Sequence, residues 1–171
     1  MSTKKFCVNG FKITIIKKPS FEAVGFSRFV RFGEGPDSIG VFLGELSKNG
    51  NMKKLADTLD APQQIWVCLS GSENSGADCR CTVCVEKTDK HDFSEFEDEE
   101  LFTLNIPESE WADYEVGNGQ SFTDLHKNDV YKMICEIGYN FNGKVGLHFD
   151  NEHEESLPNK ELHFILPVIC K

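Results

Sequence analysis

Apolar residues along this chain recur in two rhythms, and the switches between them mark out its elements. From Phe11 to Ile16 the residues alternate, with Phe11, Ile13 and Ile15 on one face, which predicts a strand. Lys17-Lys18-Pro19-Ser20 is a turn signal, and residues 21–32 resume an extended, aromatic-rich pattern. The run from Gly33 to Ser38 breaks that strand and offers Asp37 or Ser38 as a helix N-cap. Beyond it Ile39, Phe42, Leu43 and Leu46 form the stripe of an amphipathic helix that Asn49-Gly50 ends. A shorter helical piece through Leu55 and Leu59 follows. Alternation returns at 64–69 and, after a polar loop, from Cys79 to Glu86. Residues 89–100 are an acidic loop expected to be solvated surface.

The order then recurs. Leu101 to Ile106 and Trp111 to Val116 are extended, separated by Pro107-Glu108-Ser109. Ser121 or Thr123 caps a helix with Val130, Met133, Ile134, Ile137 and Phe141 on one stripe, closed by Asn142-Gly143. Val145 to Asp150 and Glu161 to Val168 are two final strands, divided by the acidic loop Asn151 to Asn159. The reading is an α+β domain covering residues 1–171, in which strand, helix and two strands are given twice. Repeat one spans about 11–88 and repeat two about 101–168, and only the pattern repeats, not the residues.

Strand parity also sorts residues by face. A sheet covered by helices on one side needs an apolar face toward them and leaves the other free for different work. Parity assigns Ile65, Val67, Leu69, Val83, Val85, Ala112, Tyr114, Val116, Val145, Leu147, Phe149, Leu162, Phe164 and Leu166 to the core face. It assigns Trp66, Cys68, Arg80, Thr82, Cys84, Trp111, Asp113, His148, Asp150, Glu161, His163 and Ile165 to the opposite face. Both tryptophans thus fall among carboxylates and imidazoles. A tryptophan in water exposes a large apolar area, so this face is expected to curve into an aromatic-walled pocket for a flat or cationic organic ligand. The alternative is that a loop or a dimer partner covers one or both rings.

Charge narrows the partners. The chain carries 18 Lys and Arg against 28 Asp and Glu, a net charge of −10, which opposes direct binding to nucleic acid or to an anionic membrane. No stretch approaches the roughly 20 apolar residues of a membrane span, and no apolar run follows the N-terminal Met1-Ser2-Thr3-Lys4-Lys5 to suggest a signal peptide. The seven cysteines, an odd number, are then expected to be reduced thiols of a cytoplasmic protein, a monomer or weak dimer.

Candidate chemistry is sparse. In Cys79-x-Cys81-x-x-Cys84 the strand period aims Cys79 and Cys81 to one face and Cys84 to the other, so the three cannot hold one metal ion. They are read as small core fillers, with Cys84 toward the pocket. His148 and His163 share the pocket face, where a His–carboxylate pair could activate water; the alternative is a hydrogen-bonded sheet histidine. The sequence has no Gly-rich phosphate loop, nucleophile elbow or HExxH, and neither cofactor nor metal is expected.

Three stretches carry a resemblance. Residues 13–25, reading ITIIKKPSFEAVG, resemble the first hairpin of the gyrase-inhibitor-like (GyrI-like) domain, which also serves as the effector-binding part of AraC-type and multidrug-responsive regulators. Leu104 to Ala112, with Ile106-Pro107 and Trp111-Ala112, is similar to that family's isoleucine-proline, turn, aromatic-alanine signature, and Leu162 to Val168 to its closing strand. The resemblance implies two β-α-β-β repeats about a pseudo-twofold axis, a curved antiparallel sheet packed on two helices, and a ligand cleft between the repeats. It implies a stand-alone bacterial member related to transcription regulators. In the family the closing strand carries a Glu four residues before its proline and a Tyr two before it; here these are His163 and Ile165. Glu161, Asp150 or the helix residue Glu136 are the candidates to replace that carboxylate.

The ligand-binding candidates are Trp66, Trp111, Thr82, Cys84, His148, Asp150, Glu161, His163 and Ile165. Three functions are consistent with them. The first is a domain that senses or sequesters a lipophilic, aromatic or cationic small molecule. The second is a hydrolase opening a strained, cyclopropane-type electrophile between Trp66 and Trp111, with Glu161 or His163 activating water. The third is a gyrase-inhibitor-like interaction protein.

Overall fold

The computed structural model describes residues 3–31, 35–36, 38–57, 65–70, 78–89, 91–96, 101–117, 120–145, 147–150 and 162–171. Asp37, Leu59, Glu161 and the loops at 71–76 and 151–159 lie outside the described residues. The strands are β1 (Lys4–Val8), β2 (Phe11–Lys18), β3 (Phe21–Arg31), β4 (Trp66–Ser70), β5 (Asp78–Glu86), β6 (Phe102–Ile106), β7 (Ser109–Val116), β8 (Tyr139–Phe141), β9 (Leu147–Asp150) and β10 (Leu162–Cys170). The helices are α1 (Ile39–Lys48), α2 (Asn51–Asp57), α3 (Phe122–Lys127) and α4 (Val130–Glu136).

All ten strands join one antiparallel sheet, in the order β1-β2-β7-β10-β9-β4-β5-β3-β6, with β8 attached to β10. The pairing is its own mirror under an exchange of repeats. β2 pairs β7 as β6 pairs β3, β5 flanks β4 as β10 flanks β9, and β4 pairs β9 across the axis. This is the doubled α+β unit that the sequence pattern predicts.

Two prolines set the bend. Pro19-Ser20 separates β2 from β3, and Pro107-Glu108 separates β6 from β7, because proline cannot continue a ladder. The register nevertheless passes through both breaks: Lys18 pairs Ser109, and the next pair, three residues on in each strand, is Phe21 with Ile106. β2–β3 and β6–β7 are thus one long, bent antiparallel pair. It folds the sheet over on itself, so that β2 and β5, five strands apart along the ladder and about 24 Å apart in a flat sheet, meet at a 2.6 Å ion pair between Lys18 and Glu86.

Each repeat packs its helices on the outer face. Phe42, Leu46, Met52 and Leu55 of α1 and α2 close over Val67, Cys79, Cys81, Val83 and Val85, while Val130, Met133 and Ile134 of α4 close over Ile13, Ala112, Tyr114 and Phe164. Ser38 caps α1, its Oγ accepting from the Val41 N–H at 3.3 Å. The second helical segment differs from expectation. Asn128 ends α3 and Asp129 recaps α4, its carboxylate accepting from the Lys132 N–H at 3.1 Å, so short polar side chains split the helix in two. Gly138, at φ 89°, then stops α4, and Phe141 sits in β8 paired with Val168 rather than on the helical stripe. Within the acidic stretch 89–100, Phe96 is buried and Phe93 packs against the same core, so that segment is anchored rather than wholly solvated.

Candidate functional site

The inner face of the folded sheet has a core of its own. Ala23, Cys68, Cys84, Ile106, Trp111 and Ile165 are buried together, with Ile16, Phe21, Trp66, Leu104 and Val145 partly buried against them. Apart from Val145, which lies between β8 and β9, these residues come from β2, β3, β4, β5, β6, β7 and β10, which a flat sheet could not bring into one cluster. Gly25 permits part of this curvature. A β-carbon there would lie 1.9 Å from the Val83 carbonyl oxygen, so only glycine lets β3 press this closely on β5.

Where the inner core reaches the surface it leaves a recess lined by Lys18, Phe21, Ala23, Trp66, Glu86 and Ile165. Its empty volume is about 230 Å³ counted to the mouth, with room inside for about one water molecule. Pockets for drug-sized ligands run from about 300 to 1,000 Å³. Walls and chemistry nevertheless match an organic ligand: two aromatic rings, two small or branched apolar side chains, one carboxylate and one ammonium. The Lys18 ammonium lies 4.3 Å from the centroid of the Phe21 ring and 2.6 Å from Glu86 Oε2.

The expected site residues distribute unevenly over this face. Trp66 and Ile165 line the recess. Trp111 lies beneath it, fully buried and tilted against Phe21 with ring centroids 6.4 Å apart, so it is a wall of the inner core and not an open aromatic surface. Cys84 is buried in the same cluster, and burial together with Cys81 pushes its thiol well above the ordinary value, which leaves it protonated and unreactive. Cys79 and Cys81 point into the helix-side core instead, as parity predicts. Thr82 is buried and engaged: its hydroxyl is 3.0 Å from that of Ser27, which also accepts a 3.1 Å hydrogen bond from Arg80.

His163 Nδ1 lies 2.8 Å from Asp113 Oδ1, both side chains about one-fifth exposed. Asp113 pairs directly with Ile165 in the ladder, so this imidazole–carboxylate pair stands beside the recess.

His148 and Asp150 require a correction. β9 pairs Phe149 with Cys68 and with Ile165, two residues of the inner core. Directly paired residues share a face, so the 149 position belongs inside, and His148 and Asp150 occupy the positions that face the helices, opposite Leu69 and Val67. Val145, packed on the inner core, follows the same shifted parity. Leu147-His148-Phe149-Asp150 alternates cleanly, but apolar residues line both faces of this sheet, so alternation alone does not say which face the 149 position joins; its pairing with Cys68 and Ile165 does. Glu136, the helix candidate for the missing carboxylate, is exposed on α4.

Four recess residues, Lys18, Phe21, Ala23 and Glu86, are not among the site residues that the sequence points to. Glu86 was findable, because it lies two and four residues beyond Cys84 and Thr82 on a strand already identified, and so shares their face. Lys18 and Phe21 flank the Pro19-Ser20 break and read locally as turn residues; only the fold-over of β2 and β3 brings them to the same place.

No family model matches the sequence, and no curated protein matches it. Solved structures do share the fold. SAV2435, in a structure bound to tetraphenylphosphonium, superposes with a TM-score of 0.64 at 13% identity over 99% of this chain and 94% of that one. A putative transcription regulation protein of Staphylococcus aureus MU50 gives 0.62 at 11% identity over 91% and 97%. The C-terminal domain of EcmrR gives 0.56 at 12% identity over 94% and 99%. At this identity the likeness defines the architecture: two β-α-β-β repeats folded about a pseudo-twofold axis, in agreement with the GyrI-like fold that the sequence resembles.

Proposed function

We propose that this chain is a small-molecule-binding domain of the GyrI-like, multidrug-effector type, taking a lipophilic aromatic or cationic compound at the recess of its inner face. The observation that carries this reading is the recess itself. Phe21 and Trp66 offer two aromatic surfaces, Ala23 and Ile165 an apolar floor, and Glu86 a partly exposed carboxylate. Aromatic faces and a nearby carboxylate attract a cation that can shed its water, and a delocalised aryl cation sheds it most readily. The carboxylate absent from the closing strand is thus supplied from β5 by Glu86. That SAV2435 shares the fold in a complex with tetraphenylphosphonium supports the same chemistry.

The test is isothermal titration with tetraphenylphosphonium. The wild type is expected to bind it, and Trp66→Ala to weaken binding roughly tenfold through the loss of one stacking wall. Affinity unchanged in Trp66→Ala would place any binding elsewhere. The Asp113–His163 pair favours one further reading, hydrolysis of a bound electrophile with His163 as general base. Turnover of an alkylating substrate, lost in His163→Ala, would support it, and stoichiometric binding without product would reject it.

A further inference from the structure

Resting on the reading of the recess as a ligand site, we propose that Lys18 is a built-in competitor. Its ammonium stands where a cationic ligand would bind, and a lipophilic cation enters by displacing it.

Two of the three cation-attracting features of the recess, the Phe21 ring and the Glu86 carboxylate, are already engaged by this one side chain. The Lys18 Nζ lies over the Phe21 ring at 4.3 Å and against Glu86 Oε2 at 2.6 Å. Lys18 is itself part of the lining, and the space left over admits about one water molecule. Of the lining residues, Lys18 is the one that can leave at little expense. It is the last residue of β2, its side chain is 25% exposed, and a rotation of its flexible stem carries the ammonium into water. Ala23 and Ile165 are buried in the inner core and cannot move aside in this way.

The exchange is selective by charge and by hydration. A compact ammonium is strongly hydrated, so a lysine gains less from aromatic walls than a delocalised aryl cation does. A small inorganic cation has no such advantage and would not evict the lysine. The arrangement keeps Glu86 paired when no ligand is present, which a recess lacking Lys18 would not do.

Titration with tetraphenylphosphonium at fixed ionic strength separates the possibilities. Lys18→Met is expected to bind roughly five- to tenfold more tightly than the wild type, the combined worth of a partly exposed ion pair and one cation–π contact. Lys18→Gln, which keeps a polar side chain, should show the same direction if the methionine variant folds poorly by circular dichroism. Lys17→Met changes net charge equally but removes a lysine paired with Glu108 outside the recess, and should shift affinity by less than about twofold. The decisive signature is a coupling. Glu86→Gln should weaken binding several-fold in the Lys18→Met background and much less beside Lys18, where the same substitution also releases the competitor. Equal or weaker binding by Lys18→Met, or an equal gain in Lys17→Met, would overturn the competitor while leaving the recess as a ligand site. No binding by either the wild type or Lys18→Met would overturn both.

Discussion

Single side chains in this protein are explained by which of three cores they enter. Trp111 and Trp66 have the same strand parity, yet one is fully buried while the other lines an opening. Parity assigns a face; it does not say how far the opposite wall of a folded sheet will come down over it. The cysteines divide in the same way. Cys68, Cys79, Cys81 and Cys84 are buried, and Cys7, Cys135 and Cys170 are exposed. A thiol-reactive chromogen is therefore expected to titrate three of the seven thiols in the native protein and all seven in denaturant. Fast labelling of a fourth thiol would show that the inner or helix-side core opens readily.

At the scale of elements, the strand pairs succeed or fail in the sequence reading according to the strength of their local signal. β2 and β7 carry clean period-two alternation, while β4 and β10 are apolar on both faces and are legible as strands from their short apolar runs and β-branched or aromatic residues. β1 carries too little alternation to announce itself, although the turn that follows it does. Asn9 and Gly10, at φ 51° and 83°, form the two-residue hairpin loop that an Asn-Gly pair favours, and Val8 pairs Phe11 across it. β9 alternates cleanly, yet with apolar residues on both faces of the sheet its alternation does not choose a face; the pairing of Phe149 with Cys68 and Ile165 does. The tightest pairing, β3 on β5, depends on one position. Gly25→Ala sets a methyl group against the Val83 carbonyl and the Cys84 α-carbon, backbone atoms that cannot rotate away. The expected loss is about 3 kcal/mol by chemical denaturation. A loss under about 1 kcal/mol would mean that the two strands separate easily, and that the inner face is less constrained than its packing implies.

For the whole molecule, the doubled unit was readable because each repeat must bury its own helix face, and that demand leaves an amphipathic signature in sequence. The site was readable only in part. Its members Trp66 and Ile165 follow from parity, but Lys18, Phe21 and Glu86 meet through the bend at Pro19-Ser20 and the continuous register on either side of it. That is a long-range consequence of two breaks acting together, and no local window contains it. The account comes down to one claim, that a lipophilic ligand docks at this recess. The chain has two tryptophans, so its nitrogen-15 correlation spectrum should hold two indole N–H signals, assignable with a Trp66→Phe variant. Titration with tetraphenylphosphonium is expected to move the Trp66 indole and the backbone amides of Phe21, Glu86 and Ile165, and to leave the helix-side residues Phe42, Met52 and Met133 in place. Shifts confined to the helix side, or none at saturating ligand, would contradict it.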